Sequence, residues 1–283
     1  MSRPVLLGVF AHPDDESFGP GGTLAKYARE GVDVHVCILT DGAAGEVDPA
    51  MLARSGCSSL AELRARELAC ACRVLGVSLH QLDYGDSGMD GKAGNGIRPN
   101  LASTPVEEVA QELARLILAL RPQVILTHGP TGEYFHPDHI HVHRAVIKAL
   151  ENDEVAALPE LRVYSSAIPA ATMRWAILLL RLFGRDPTRF GENGDIDLTR
   201  VGTPDHEITV RLDVKPYYEI KRQASSCHAS QGGGGGFGAR WIPGFVLRAL
   251  NRYEHFVQIA PPASEQYATL FPSPPKTGPV RSS

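Results

Sequence analysis

The sequence predicts an α/β fold, Rossmann-like and three-layered, with a mostly parallel sheet and a C-terminal elaboration. Two observations carry this. Short apolar runs alternate with stretches of helical periodicity, and brief connections join them, as in a sheet covered on both faces. The first run, Val5 to Ala11, is continuously apolar and stops at polar residues. A parallel strand buried on both sides is written in that way.

The elements then follow in order. Gly19-Pro20-Gly21-Gly22 turns the chain into a short helix over Thr23 to Glu30, stopped at Gly31. Asp33 to Leu39 reads as a second strand. Leu60 to Leu75 has helical periodicity and ends at Gly76, and Val77 to Leu82 reads as a third strand. Val106 to Leu120 is a helix stopped before Pro122, and Gln123 to Thr127 is a fourth strand. Beyond Ala149 the pattern weakens. Leu161 to Ala167 and Glu207 to Val214 read as strands, and Ile177 to Phe183 as an apolar helix for which core packing is the plainest expectation, a lid or an oligomer contact the others. The glycine run 232–236 reads as a flexible or closely packed loop. No sharp linker divides the chain, so residues 1–260 are expected to form one domain, with a flexible Pro-rich tail over 261–283.

Composition narrows the function. Hydrophobic residues make up 43% and charged residues 21% of the 283, enough apolar surface for a sizeable core. With 28 basic and 32 acidic residues the net charge is −4, which argues against a nucleic-acid partner. The five cysteines are few and irregularly spaced, so they are expected as reduced thiols of a cytoplasmic protein. The stretch from Met173 to Phe183 carries Arg174 and Arg181 and falls far short of roughly 20 apolar residues, so no spanning helix is expected.

Chemistry concentrates in two clusters. Ala11-His12-Pro13-Asp14-Asp15-Glu16 stands where the first strand ends, and Tyr134-Phe135-His136-Pro137-Asp138-His139 follows the fourth. Ligand sites of open parallel sheets gather at the carboxyl ends of strands, so the two should meet in one cleft. His12, Asp15 and His139 then supply two imidazoles and a carboxylate with a fourth position open, the donor set of a catalytic zinc site; iron(II) suits the same donors. His143, four residues beyond His139, is the competing ligand. Asp14, beside a ligand, is placed to take a proton from metal-activated water.

These residues resemble the LmbE-like or PIG-L-like zinc-dependent N-acetylglucosaminyl deacetylases. Arg64-Ala65-Arg66-Glu67, Tyr84-Gly85-Asp86-Ser87-Gly88-Met89, Lys221 and His228-Ala229-Ser230-Gln231 also fit the family, so the likeness spans roughly residues 4 to 231. The resemblance implies His12, Asp15 and His139 as metal ligands and Asp14 as general base. It implies His136, held by Asp138, as the imidazolium facing the oxyanion, and Tyr134 as the residue polarising the substrate carbonyl. Arg64 would grip the sugar and Asp86 line its site. Gly85 stands where close relatives of thiol pathways often carry Arg.

The expected activity is removal of the N-acetyl group from a small GlcNAc-containing molecule, of the GlcNAc-malate or GlcNAc-inositol type or a chitooligosaccharide, by an enzyme that assembles as a homo-oligomer. Other readings stay open. The same constellation would serve an amidase on a larger thiol conjugate. A non-catalytic sugar- or nucleotide-binding protein could use Gly19 to Gly22 at a helix N-terminus, although Asp14, Asp15 and Glu16 would repel a phosphate. A peripheral membrane enzyme could use Trp175 to Phe183 as a surface helix.

Overall fold

The computed structural model describes residues 3–91, 98–190, 194, 196–233, 251–263 and 265–271. Strand β1 (Val5–Phe10) opens the chain, and the short helices α1 (Asp15–Phe18) and α2 (Gly21–Arg29) lead to β2 (Asp33–Thr40). Helices α3 (Pro49–Ser55) and α4 (Leu60–Leu75) precede β3 (Ser78–Tyr84), and α5 (Val106–Leu120) precedes β4 (Val124–Thr127). A distorted turn α6 (Gly132–Phe135), then α7 (Pro137–Ala149) and α8 (Asp153–Ala156), lead to β5 (Arg162–Ala167). Helix α9 (Ala170–Leu182), β6 (Val210–Asp213), α10 (Tyr218–Cys227) and β7 (Tyr253–Ala260) complete the set.

The strands form one sheet in the order β3-β2-β1-β4-β5-β7-β6. The first five run parallel, whereas β7 pairs antiparallel with both β5 and β6. The expected C-terminal elaboration is therefore a pair of antiparallel strands added to the β5 edge. Successive residues of β1 point to opposite faces, so Leu6 and Phe10 join one core cluster while Leu7, Val9 and Ala11 join the other. Residues of α2, α4 and α10 fill the first cluster; α5 and α7 supply the second. Burial on both faces is why the strand reads as an unbroken apolar run.

Sequence signals set the helix ends well. Ser59 caps α4 by accepting from the backbone N–H of Glu62, and Gly76 closes that helix in the left-handed conformation (φ 79°). Helix α7 starts with Pro137 in its first turn and the His136 side chain as its cap. The helix expected over Ile177 to Phe183 begins seven residues earlier, after Pro169.

Three expectations are corrected. Helix α9 has no buried residue, so the core reading of Trp175 to Phe183 falls. The cysteines are not all reduced: Cys70 of α4 and Cys227 at the end of α10 form a disulfide, because the two helices pack side by side and bring Cα atoms 157 residues apart to 5.9 Å. The first part of the supposed tail is packed. Leu270 is fully buried, its carbonyl accepts from the Tyr164 hydroxyl (2.8 Å) and its N–H donates to Tyr27 Oη (2.9 Å). Residues 272–283 of that tail, and Gly234 to Gly236 of the glycine run, lie outside the described residues. Gly233 is the closely packed part of the run: a Cβ there would lie 2.0 Å from the carbonyl oxygen of Ser225.

Candidate active site

The carboxyl ends of β1, β2, β3 and β4 bring the two polar clusters together, as the strand-end argument requires. His12 and His139 lie 127 residues apart in sequence, yet His12 Nδ1 and His139 Nε2 are 3.2 Å apart. Asp15 Oδ2 lies 3.6 Å from His12 Nδ1, and Asp15 Oδ1 lies 3.4 Å from His139 Nε2. Donors around a tetrahedral ion with zinc-like bond lengths are about 3.4 Å apart, and these separations are of that size, with a different Asp15 oxygen facing each ring.

The far side of each imidazole strengthens the fit. Nε2 of His12 faces Asp138 Oδ2 at 3.1 Å and Asp86 Oδ1 at 3.4 Å. Nδ1 of His139 faces Glu133 Oε2 at 3.0 Å. A carboxylate behind each ring can hold a proton there, which would leave the other nitrogen free to face a metal, and Asp86, Asp138 and Asp15 raise His12 above the ordinary imidazole range despite its burial. Two overlapping donor groups compete, His12–His136–His139 and Asp15–His128–His139, and a third joins His12, Asp86 and Asp138. His128 has both nitrogens engaged, Nε2 by the Ala11 N–H (3.0 Å) and Nδ1 by Glu133 (2.9 Å). Nδ1 of His136 accepts the Asp138 N–H (3.2 Å). Asp86 and Asp138 are spent on His12. His143 faces away, its Nδ1 against the backbone oxygen of His128 (2.9 Å).

Charge in the cluster follows from these contacts. Burial alone would raise Asp15, but His139, His128 and His12 hold it well below the ordinary carboxylate range. Asp14 goes the other way: burial, helped by neighbouring Asp15 and opposed by Arg64, pushes it up to about 6. Its backbone sits at φ 135°, in the left-handed region, where an L residue is strained. The Asp14 N–H donates to Glu16 Oε2 (2.9 Å), and Glu16 is held in turn by His228 Nε2 (2.7 Å), both fully buried.

Several residues stand differently from expectation. Arg64 is buried and is not a free arm toward a sugar. Its guanidinium donates to the carbonyls of Gly42 and Pro13 and to Asp14 Oδ2 (2.8 Å). The Asp138 carboxylate does not hold His136; it accepts from His12 and from the Ser87 N–H (2.9 Å). Burial, with His12 and His139 close by, pushes His136 down to about 3. With Nδ1 accepting, its proton sits on Nε2. Burial, with Asp15 and Asp14 nearby, raises Tyr134 well above the usual phenol range, so it stays a hydroxyl donor.

His128 and Glu133 are the members that sequence reasoning missed. His128 immediately follows β4, and its strand-end position was the available signal. Glu133 gave none, since only the left-handed backbone of the turn (φ 58°, ψ −59°) swings its carboxylate between His128 and His139. Gly132, before it, admits no side chain: a Cβ there would lie 2.9 Å from that of His139.

The phosphate-cradle reading of Gly19 to Gly22 falls. The N-terminus of α2 is occupied by Glu254, which accepts from the N–H groups of Gly22 (3.0 Å) and Thr23 (2.8 Å) and pairs with Lys221 Nζ at 2.6 Å.

Known proteins resemble this chain in sequence and in fold. The chain is 36% identical over 239 residues to the 1D-myo-inositol 2-acetamido-2-deoxy-α-D-glucopyranoside deacetylase of Acidothermus cellulolyticus, covering 82% of this chain and 80% of that protein. The Thermobifida fusca protein of the same name is 36% identical over 244 residues, with 82% and 84% covered. Among solved structures, N,N'-diacetylchitobiose deacetylase from Pyrococcus horikoshii has a TM-score of 0.51 at 21% identity, covering 80% of this chain and 70% of that one. A 4-carboxy-2-hydroxymuconate hydratase from Pseudomonas putida reaches 0.57 at 21% identity, covering 94% and 100%. One fold thus carries different reactions, and the fold alone does not choose between them. The sequence does decide the family: residues 7–150 match the one described as GlcNAc-PI de-N-acetylase, and the chain belongs to this PIG-L family.

Proposed function

We propose that the protein is a metal-dependent hydrolase that removes the acetyl group from an N-acetylglucosamine unit of a small molecule, with a GlcNAc-inositol conjugate as the first substrate to test. The convergence of His12 Nδ1, Asp15 and His139 Nε2 beside a carboxyl group poised near neutrality is the observation that carries this reading. The names of the relatives support the GlcNAc-inositol choice. A divalent ion on His12, Asp15 and His139, zinc by preference, would supply Lewis acidity and a water acidified toward a pKa of about 7.

The chain's own groups account for the remaining steps. Asp14, ionised at neutral pH, takes a proton from the attacking water as its oxygen adds to the acetyl carbon. Arg64 and Glu16 keep the Asp14 carboxylate and backbone in place. The hydroxyl of Tyr134 and the Nε2–H of His136 donate to the carbonyl oxygen as it gains negative charge, a task that suits fixed donors in a dry cluster. Asp14 then returns its proton to the sugar nitrogen while the C–N bond breaks, leaving acetate and a free amine. In this scheme Arg64 and Asp86 serve Asp14 and His12 first; direct contact with the sugar is not required of either.

Acetate release from GlcNAc, GlcNAc-inositol, GlcNAc-malate and N,N'-diacetylchitobiose, with metal-stripped and zinc-reconstituted protein side by side, tests the proposal. Zinc-dependent acetate from GlcNAc-inositol is the expected result. Bound metal with no acetate from any of the four would overturn the substrate class. Full activity in the stripped protein would overturn the metal.

A further inference from the structure

Among the described residues, five of the seven exposed large apolar side chains lie on helix α9 or just past it. Trp175, Leu178, Leu179 and Leu182 recur at the i, i+3, i+4, i+7 spacing of one helical stripe, and they are 67%, 46%, 52% and 72% exposed. Phe183, just past the helix, is 81% exposed. Scattered exposed leucines need no explanation, but a continuous stripe of this kind marks a surface that something covers.

The helix is tied down at its N-terminal end. The Ala170 N–H donates to the Thr203 carbonyl (2.9 Å), and Gly202 lies so close that a Cβ would stand 3.1 Å from the Cα of Ala170. The segment beneath it carries Arg200, whose guanidinium lies 4.3 Å from the ring centre of Phe135, next to His136.

Charge selects what covers it. Residues 170–185 contain Arg174, Arg181 and Arg185 and no acidic residue, in a chain whose net charge is −4. All three arginines are exposed. At 100° per residue, Arg174 and Arg181 fall together along one border of the stripe. Arg174 pairs with Asp205 at 3.8 Å, and Asp186, just past this stretch, lies within electrostatic reach of Arg181. Trp, Leu and Phe on one face with arginines at the border is the composition of a helix lying in a membrane interface, apolar side chains among the acyl chains and guanidinium groups at lipid phosphates. Thirteen residues span about 20 Å, too short to cross about 30 Å of hydrocarbon, so the helix would lie in the plane.

We propose that α9 docks the protein on an anionic phospholipid surface through the Trp175–Leu182 stripe. Co-sedimentation with vesicles of phosphatidylcholine alone, and of phosphatidylcholine with phosphatidylglycerol, tests it. The protein should pellet with the anionic vesicles and be released by salt. Trp175→Ser/Leu182→Ser and Arg174→Glu/Arg181→Glu should each weaken binding about tenfold or more. These positions are exposed and outside the candidate site, so both variants should keep wild-type circular dichroism and turnover of a soluble substrate. Failure to bind anionic vesicles, or equal binding by both double variants, would overturn the proposal. Sedimentation-equilibrium dimers that dissociate in the Trp175→Ser/Leu182→Ser variant, without vesicle binding, would also overturn it and make the stripe a contact between copies.

Discussion

At Asp14, backbone strain and charge are set by the same neighbours. A non-glycine residue at φ 135° costs of the order of 1–3 kcal/mol. The bonds from its N–H to Glu16 and from Arg64 to its carboxylate offset that cost and aim the side chain into the cluster. Asp14→Asn keeps the shape and removes the base, so turnover should fall by about 10²–10⁴-fold. Metal content, measured on the same preparation by elemental analysis, should be unchanged; loss of metal would put Asp14 among the ligands. Glu133 offers a separate check on the ligand set. Its carboxylate is held down at about 2 despite burial, chiefly by His128 and His139, so it is a charged acceptor for His139 Nδ1–H. Glu133→Gln should weaken zinc binding by about 10–100-fold with the fold intact. An unchanged dissociation constant in a competition titration would reduce Glu133 to a packing residue.

Among the elements, β7 shows how a burial pattern can be hidden from sequence. Alternate residues Glu254, Phe256 and Gln258 are the ones buried, so two of its three inward positions are polar and the apolar period vanishes. Glu254 is inside because it caps α2 and pairs with Lys221 of α10, joining three elements at one buried charge pair. Lys221→Met would leave that carboxylate uncompensated and should destabilise the protein by about 3–5 kcal/mol in denaturant unfolding. A loss below about 1 kcal/mol would mean that the α2 N–H groups satisfy Glu254 without the lysine. Helix α9 illustrates the opposite case. Its periodicity announced a helix, but an apolar stripe looks the same in sequence whether it faces a core or the outside.

On the scale of the whole molecule, the Cys70–Cys227 bridge ties α4, which carries Arg64 and Glu67, to α10, which leads into His228 and Ser230. Glu67 accepts from the N–H (2.8 Å) and hydroxyl (2.6 Å) of Ser230, so the bridge and this contact hold the same two elements. Burial pushes the thiols of Cys37 and Cys72 up to about 12, which leaves Cys57 as the reactive one. A thiol reagent should therefore find one fast-reacting group in the native protein, three in denaturant and all five only after reduction. Three reactive groups in the native state would contradict the burial. Removing the bridge with Cys70→Ser/Cys227→Ser should lower stability by about 2–4 kcal/mol, read from the denaturation midpoint.

The sequence by itself determined the α/β class, the limits of α4 and α5, and the meeting of the His12 and His139 clusters. These rest on local periodicity, caps and the rule that strand ends gather ligands, all of which are written in neighbouring residues. Only the tertiary structure decided that Glu133 and His128 back the cluster, that Arg64 and Asp138 hold Asp14 and His12, that Cys70 meets Cys227, and that α9 faces outward. Each of those facts depends on which distant surfaces pack together, or on a backbone angle such as that of Glu133. Residue spacing along the chain carries no record of either.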